Sequence, residues 1–242
     1  MHGKYQQTTA AQYATLTHID TAVGMVIQKL KDEGIFDNTL VMVTADNGEF
    51  HGAHSLADKW YPYSESIHVP LIIRDPRMPK QKRGTLDHSF TLNIDLASTI
   101  LGAAGIQSPP YMDGRDIADL YLKDRASGRE EFYYEFPAIQ SGIPASRALV
   151  RKNFKYIDWF QHGYQELFDM NNDPFELKNL SNDPDYSSVI AEMRHQLEVL
   201  RHDVYTAHGL VPGTVCDSLW PAGSDLSKVP NCSITFPNKC CM

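Results

Sequence analysis

The sequence predicts an α/β fold, in which part of a layered sheet is followed by a small antiparallel sheet and a closing helix. In the first half, helical patterns and short β-branched runs follow the order helix, strand, strand, helix, as in a layered α/β sheet. In the second half, short aromatic-rich segments alternate with turn residues, which is typical of antiparallel strands. A long amphipathic pattern then predicts a helix that closes the periodic part of the chain.

The first half begins with apolar residues at spacings of three and four, which predict a helix from about residue 9 to Gly34. These residues are Leu16, Ile19, Val23, Val26 and Leu30. The β-branched run 40–44 predicts a strand. The apolar run 68–74 predicts a second, buried strand, with Pro70 near its start, where a missing N–H costs least. A further helix is predicted over residues 95–105.

The second half is predicted to form four short strands and one helix. The strands cover 132–136, 146–151, 154–159 and 166–170. Asp183 is a predicted N-cap, with Pro184 at the first helical position, where proline is favoured. The closing helix is predicted from apolar residues at helical spacing, namely Ile190, Met193, Leu197, Leu200 and Val204.

Three regions are therefore expected along the chain. Residues 1–110 form the α/β part, residues 111–208 form the small sheet with its helix, and residues 209–242 form a tail that contains cysteines. The net charge of -8 argues against a nucleic-acid partner, which would require a basic face. No run of eighteen apolar residues is present, so no membrane span is expected.

The four cysteines all lie in the tail, and they are Cys216, Cys232, Cys240 and Cys241. Clustered cysteines predict disulfides formed in an oxidising compartment, with three possible pairings. A zinc site is the alternative, but it lacks a C-x-x-C pair. Asn179 and Asn231 begin acceptor triplets for N-glycosylation. We therefore expect a secreted, lysosomal or periplasmic glycoprotein, although the N-terminus shows no signal-peptide pattern, which suggests that the start of the protein is missing.

The segment from Thr44 to Lys59 carries most of the chemical information. Asp46 and Asn47 directly follow the first predicted strand, and Lys59 follows a loop that contains histidines. Ligands of α/β proteins bind at the carboxyl ends of strands, where oxygen donors suit a hard cation and a lysine suits an oxyanion. The Asn-Gly pair also fits a hairpin turn, but no second alternating strand follows.

The histidines of this loop allow two interpretations. His51 and His54 lie three residues apart near Asp46, a pattern that would suit a zinc ion. However, the amide of Asn47 favours a hard cation over zinc. We therefore interpret His54 as a residue that organises the loop or lines the substrate pocket.

Three groups of segments resemble the C-terminal half of the sulfatase family, which belongs to the alkaline-phosphatase-like superfamily. The first group is 44–48, and the second is 56–60 with 64–72. The third group comprises 147–151, 155–157, 166–170, 173–174 and 176–180. Each group alone is moderately specific, but the three in this order are strongly indicative. The resemblance covers nearly all of residues 8–204.

The resemblance implies a partial alkaline-phosphatase-like sheet and roles for four residues. Asp46 and Asn47 would ligate calcium or magnesium, Lys59 would bind the sulfate, and His54 would lie at the substrate-binding pocket. The implied activity is hydrolysis of a sulfate monoester on a carbohydrate or aryl group. The implied partner is therefore a sulfated small molecule or glycan.

The catalytic nucleophile of that family is a formylglycine, made from the cysteine or serine of a C-x-P-S-R-type motif. None of the four cysteines has proline two residues on and arginine four residues on. We therefore expect no catalytic nucleophile in this chain and no activity of the chain alone. Two alternatives remain open: a phosphodiesterase or phosphonate hydrolase of the same superfamily, and a non-catalytic protein that binds sulfated glycans.

Four further side chains are candidates for a supporting role. Tyr63 and Glu65 follow Lys59 closely and are interpreted as support for the loop, with an ordinary half-buried position as the alternative. Trp159 and His162 flank a predicted turn of the small sheet. They are interpreted as part of a surface turn, and a contact with substrate is the alternative.

Overall fold

The structure is a computed structural model that describes residues 2–124, 126–137 and 142–209. The four cysteines and Asn231 lie outside the described residues. The chain divides into two compact units. The first unit contains residues 1–43 and 71–83, and the second contains residues 44–70 and 84–242. The three regions expected from the sequence remain a prediction.

The first unit contains a long helix and most of a two-stranded sheet. Helix α1 runs from His2 to Asp32, and strands β1 (Val41–Thr44) and β2 (Leu71–Arg74) pair with each other. The sequence predicted all three elements. However, Leu16 is 58% exposed on α1 and Ile72 is 63% exposed on β2, so neither apolar pattern marks a fully buried face within the described residues.

In its described residues, the second unit contains four α-helices and a four-stranded sheet. The helices are α2 (Ser64–Ile67), α3 (Asn93–Ala103), α4 (Ala118–Leu122) and α5 (Ser187–Ala207). The strands are β3 (Glu131–Phe136), β4 (Ser146–Arg151), β5 (Phe154–Trp159) and β6 (Tyr164–Asp169). The four strands form an antiparallel meander in chain order, as the sequence predicted.

Period-two alternation gives this sheet two buried faces. One face packs its Leu149, Tyr156 and Leu167 against α5. The opposite face presents a second set of buried residues, namely Ala148, Val150, Ile157, Trp159 and Phe168. Tyr61 and Tyr63, which lie in the segment between β1 and α2, pack against this second set. The sheet is thus the support on which that segment rests.

The closing helix α5 forms as the sequence predicted. The Asp183 carboxylate accepts a hydrogen bond from the Asp185 N–H and caps a short 3-10 turn that starts at Pro184 and leads into α5. Three of the apolar residues used for the prediction are buried, namely Ile190, Met193 and Leu197.

None of the helices in the described part of the chain combines the length and the apolar character needed to cross a bilayer. The Asn179 side chain, one of the two predicted glycosylation acceptors, is engaged inside the fold. Its Nδ2 donates to the Tyr164 hydroxyl and the Gln165 carbonyl, each at 3.1 Å. A glycan on Nδ2 would disturb these bonds, so the structure does not support Asn179 as an acceptor in the folded protein.

Candidate functional site

The candidate site is built on residues 45–63, which connect β1 to α2 and are named the strand-end loop. Asp46 is exposed, and one of its carboxylate oxygens accepts a hydrogen bond from the Asn47 N–H at 2.9 Å. The Asn47 side-chain amide donates to the Gly48 carbonyl at 2.8 Å. Within the described residues, no hydrogen bond reaches the other Asp46 carboxylate oxygen or the Asn47 side-chain oxygen. Both atoms are thus available to a cation.

The strand-end loop is closed by bonds at both of its ends to one residue, Ser66. The Gly48 N–H donates to the Ser66 carbonyl at 2.8 Å, and the Trp60 N–H donates to the Ser66 hydroxyl at 2.9 Å. Asn47 and Lys59 directly precede these two donors in sequence. The backbone beside the predicted cation ligands and the backbone beside the predicted anion ligand are therefore fixed to the same point.

The approach of the loop to α2 is close enough to require glycine at position 48. A Cβ placed on Gly48 would lie 1.9 Å from the Glu65 carbonyl oxygen, well inside van der Waals contact. The sequence does not support a hairpin turn at this Asn-Gly pair, because no second alternating strand follows it. The structure shows that the glycine serves a close packing of backbone on backbone.

The loop also holds five non-glycine residues at positive φ, namely His51, His54, Ser55, Asp58 and Trp60. Such backbone conformations are sparsely populated and persist only where the surroundings impose them. An internal bond from the Phe50 N–H to the Asp58 carbonyl, at 2.9 Å, helps to impose them here. The fully buried ring of Phe50 anchors the middle of the loop.

His54 lies against α2 and the residue that precedes it. Its ring stacks on Tyr63 with 4.2 Å between centroids, and its Nε2 lies 3.4 Å from a Glu65 carboxylate oxygen. The imidazole is largely buried, with 12% of the side chain exposed. Tyr63 and Glu65 thus both contact His54, as expected for residues that support the loop.

Three side chains come close enough together to suggest a metal site. Ligand atoms of His54, Glu65 and Glu176 all lie within 4.8 Å of one another, whereas Asp46 and His51 do not belong to this group. However, the Lys155 ammonium lies 2.6 Å from a Glu176 carboxylate oxygen, and both side chains are buried. A cation is therefore already present inside the cluster, so we interpret it as a buried ionic network.

Lys155 extends from β5 and also donates a hydrogen bond to the Ser64 hydroxyl at 2.9 Å. Burial lowers the pKa of the Lys155 ammonium, and the Glu176 carboxylate beside it opposes part of that change. The second Glu176 oxygen accepts a hydrogen bond from the Ser64 N–H at 2.7 Å. No local sequence signal points to this pair, since 21 positions separate the two residues (176 − 155 = 21).

An open cavity of about 380 Å³ borders His54. Its other lining residues are Leu56, Tyr61, Tyr63, Pro144, Trp159, His162, Tyr164 and Glu166. The cavity therefore lies between the strand-end loop and the β5–β6 end of the sheet. Trp159 and His162 both line this cavity, so they form more than a plain surface turn, and their contact with substrate stays a prediction.

Glu166 fixes two of the aromatic walls of this cavity. One of its carboxylate oxygens accepts hydrogen bonds from the Tyr63 hydroxyl and the Trp159 indole N–H, each at 2.8 Å. Burial and then the charge of Glu166 raise the pKa of the Tyr63 hydroxyl, so it remains a proton donor. The aromatic walls are thus held in fixed orientations before any ligand arrives.

The structure places the predicted residues on one loop, as follows. Asp46 and Asn47 occupy its first turn, His54 lies at the cavity, and Lys59 lies at the far end. The Lys59 ammonium is 5.3 Å from the centre of the Trp60 ring, which is a cation–π contact. The metal and sulfate roles of these residues remain predictions.

Known proteins resemble this chain over most of its length. The sequence model of a family described as "N-sulphoglucosamine sulphohydrolase, C-terminal" matches residues 52–203. An N-acetylglucosamine-6-O-sulfatase of Bacteroides thetaiotaomicron is 31% identical over 202 residues, which cover 81% of this chain and 36% of that protein. The chain thus spans well under half the length of the curated relatives it matches.

Solved structures resemble the fold as well. One is a protein in complex with its substrate, D-glucosamine-2-N,6-O-disulfate, with a TM-score of 0.73 and 27% identity, covering 80% of this chain and 40% of that one. Another is a phosphonate monoester hydrolase of Agrobacterium radiobacter, with a TM-score of 0.68 and 28% identity, covering 78% of this chain and 40% of that one.

Proposed function

We propose that this chain, which belongs to the sulfatase family, forms part of a site for the sulfate ester of a carbohydrate. Its fold is that of the C-terminal part of the alkaline-phosphatase-like sulfatases, as the sequence predicted. One observation carries the proposal. The strand-end loop brings His54 to an aromatic cavity, while Ser66 fixes the backbone beside Asn47 and Lys59.

Lys59 is the proposed anion ligand. An ammonium group is a compact point charge that suits the three terminal oxygens of a sulfate ester. Its position over the Trp60 ring limits the directions in which the flexible side chain can point. A charge-assisted hydrogen bond to the sulfate is worth about 1.5–3 kcal/mol.

His54 is the proposed second contact to the sulfate. Its Nε2 faces Glu65, so its Nδ1 is the ring atom that remains for a ligand. The stack on Tyr63 holds the imidazole plane in place. A histidine that is oriented in this way reaches the ligand without the entropic cost of ordering its own side chain.

Asp46 and Asn47 are proposed to hold a calcium or magnesium ion. A carboxylate oxygen and an amide oxygen are the ligand types that these hard cations prefer, and both are free of protein hydrogen bonds in the described chain. When bound, the ion would neutralise charge on the sulfate oxygens. The two residues supply two of the six to eight oxygens that calcium takes.

The cavity favours a sugar as the group that carries the sulfate. Aromatic rings with fixed orientations suit the apolar faces of a pyranose, and Glu166 and His162 offer polar atoms for its hydroxyls. The structurally similar protein that was solved with a disulfated glucosamine fits this choice. We therefore propose a sulfated hexosamine as the substrate class. Secretion, or a lysosomal or periplasmic location, is proposed with it, because these compartments permit the disulfides expected in the tail.

The 242 residues contain no C-x-P-S-R motif. The chain by itself is therefore proposed to hold the sulfated sugar without turning it over. The groups on the strand-end loop bind and orient the ester, and the aromatic walls exclude water from one side of it. An assay of the chain with p-nitrophenyl sulfate is expected to show no release of nitrophenol above background.

A second candidate is hydrolysis of a phosphonate or phosphodiester. The similarity to a phosphonate monoester hydrolase favours it, since a phosphonate ester presents a tetrahedral oxyanion to the same ligands. Asn47 is the feature that favours the sulfate ester, because its amide oxygen suits a hard cation such as calcium rather than zinc. A phenylphosphonate ester in the binding experiment below distinguishes the two candidates.

Calorimetric titration of the chain with glucosamine 6-sulfate in calcium buffer tests the proposal. The sulfated sugar is expected to bind, and unsulfated glucosamine and the phosphonate ester are expected to bind more weakly. Lys59→Met should weaken binding about 10- to 100-fold, since it removes one charge-assisted contact. Equal affinity for glucosamine with and without sulfate would contradict the proposal.

Lys31→Met is the matched control. Lys31 also holds its ammonium 5.3 Å from the centre of an aromatic ring, that of Phe36, on an exposed surface. The substitution removes the same charge and the same kind of contact, but outside the strand-end loop. It should leave the affinity for glucosamine 6-sulfate unchanged.

A further inference from the structure

Three consecutive residues at the start of α2 each contact a different part of the candidate site. Ser66 bonds to both ends of the strand-end loop, Glu65 faces His54, and Ser64 contacts the buried Lys155–Glu176 pair. Helix α2 is only one turn long, from Ser64 to Ile67. So short a helix is marginal on its own, so its position depends on these contacts.

Ser66 connects the two ends of the strand-end loop through hydrogen bonds. Its side chain and backbone are buried, and it accepts one hydrogen bond through its carbonyl and another through its hydroxyl. Removing the hydroxyl leaves the Trp60 N–H without its acceptor. The backbone next to Lys59 then loses one anchor and keeps the hydrogen bond from the Tyr134 hydroxyl to the Trp60 carbonyl, at 3.1 Å.

The Lys155–Glu176 pair anchors helix α2 to the sheet. Lys155 lies on β5, and its ammonium bonds to both Glu176 and the Ser64 hydroxyl. Glu176 in turn accepts from the Ser64 N–H, the first N–H of α2. Glu176 itself adopts a positive φ of 56°, a conformation that persists only where the surroundings impose it.

We propose that Ser66 and the Lys155–Glu176 pair are positioning residues, which transmit the geometry of the β-sheet through α2 to the strand-end loop. They act through Gly48, Trp60 and Glu65 and touch no ligand themselves. Their relevance to sulfate binding rests on the proposed function. Their effect on the loop does not.

Amide hydrogen exchange of the chain without ligand tests the role of Ser66. In Ser66→Ala, the Trp60 amide is expected to exchange about 10-fold faster or more, because its acceptor is gone. Ser98→Ala is the matched control. Ser98 is equally buried, and its hydroxyl donates to the Gly114 carbonyl at 2.9 Å, away from the loop. The control should leave the exchange of Trp60 unchanged.

The charge pair is tested with the double variant Lys155→Met/Glu176→Gln. It removes both charges together, so that neither is left buried alone, and the glutamine retains an acceptor for the Ser64 N–H. The amides of Gly48 and Trp60 are expected to exchange about 10-fold faster, while those of Tyr156 and Leu167 in the sheet stay within about 2-fold of wild type.

Wild-type exchange at Gly48 and Trp60 in the folded double variant would overturn the proposal. An equal acceleration in loop and sheet would overturn it too, because the pair would then serve global stability alone. If the double variant does not fold, the proposal is tested by the exchange rate of the Trp60 amide in Ser66→Ala and Ser98→Ala. Equal rates in these two variants would overturn it.

Titration with glucosamine 6-sulfate separates this proposal from the function. A loosened loop with affinity reduced by at least about 10-fold supports both, since fixed ligands owe their affinity to preorganisation. If the wild-type chain binds no glucosamine 6-sulfate but Ser66→Ala still loosens the loop, the proposed function fails and the positioning role stands.

Discussion

The β3–β6 sheet and the strand-end loop lie in the same unit but are held by different kinds of contact. The sheet rests on regular ladders and on two apolar faces, with Leu149, Tyr156 and Leu167 packed against α5. Its strands could shift by a residue only by turning every apolar side chain to the opposite face. Many contacts therefore fix the register of the strands together, and no single hydrogen bond determines it.

The strand-end loop has almost no regular structure, and besides the packing of Phe50, Tyr61 and Tyr63 it depends on a few polar contacts. It carries five non-glycine residues at positive φ, and two of its backbone N–H groups end on Ser66. The candidate ligands thus lie on a loop whose backbone conformation is energetically unfavourable, and the sheet on which the loop packs supplies its rigidity. Substitutions in the sheet should change global stability, whereas substitutions in the loop should change local order and binding.

The largest loss of stability is expected at a polar anchor near the start of the sheet. Asp95 accepts two hydrogen bonds from the Arg129 guanidinium, at 2.7 and 2.9 Å, and both side chains are buried. Asp95→Asn should cost about 3–5 kcal/mol at pH 7, because Arg129 is left without its counter-ion. Asp119→Asn, which breaks an exposed pair with Lys123, should cost under about 1 kcal/mol.

The same substitution has a defined pH dependence. Burial opposes ionisation of Asp95, but the hydrogen bonds from Arg129 and from the Arg115 and Leu92 N–H groups, together with the charge of Arg129, outweigh it and lower the pKa of this carboxyl below its ordinary value. The contribution is therefore complete above the unfolded-state pKa, near 4, and is lost as the pH falls through the folded-state value. Urea unfolding at several pH values should show the gap between wild type and Asp95→Asn closing only in acid. A gap that stays constant would contradict this.

The second-largest loss of stability is expected on the apolar face of the sheet. Leu167→Ala removes a fully buried side chain between the sheet and α5 and should cost about 2–5 kcal/mol. Leu177→Ala is the matched control, since Leu177 is 75% exposed and should change stability by under about 0.5 kcal/mol. Urea unfolding measures both. Equal costs would mean that α5 does not pack on the sheet as described.

The third-largest loss of stability is expected where the loop backbone closely approaches α2. Gly48→Ala puts a Cβ 1.9 Å from the Glu65 carbonyl oxygen, so the loop must move, at a cost of about 1–3 kcal/mol. Exchange of the Gly48 region should accelerate more than exchange of the sheet. Gly24→Ala in α1 has open space around it and should stabilise by about 0.5–1 kcal/mol. Stabilisation by both substitutions would refute the close approach.

The smallest effect concerns the strained backbone of the loop. Ser55 has a φ of 60°, so Ser55→Gly relieves strain and is expected to be neutral or slightly stabilising, within about 1 kcal/mol. Ser187 has a φ of −56° at the start of α5, so Ser187→Gly should destabilise by about 0.5–1 kcal/mol. Thermal unfolding compares the two exposed serines. The same loss for both would show that Ser55 is not strained.

The sequence predicted the regular elements well because their signals are local. The strands 146–151 and 154–159 coincide with β4 and β5, and the apolar spacing predicted α5. Helix α1 shows the limit of such signals, because periodicity predicts a helix without saying what covers its apolar face. Ile19 on that face is 50% exposed among the described residues.

The candidate site was predicted less completely than the fold. The position of Asp46 and Asn47 after a strand and the resemblance of the Lys59 segment pointed to the loop. The network of Lys155, Glu176 and α2 left no local signal. It joins residues that are distant in sequence, and Lys155 occupies a strand position where a lysine usually faces solvent.

The most direct test of the proposed site is a crystal structure of the chain grown with calcium chloride and glucosamine 6-sulfate. The proposed site requires a cation within roughly 2.3–2.6 Å of side-chain oxygens of Asp46 and Asn47. It also requires the sulfate within hydrogen-bond distance of the Lys59 ammonium, with the sugar ring against the aromatic cavity. A cation at His54, Glu65 and Glu176, or a sulfate that contacts neither Lys59 nor His54, would contradict it.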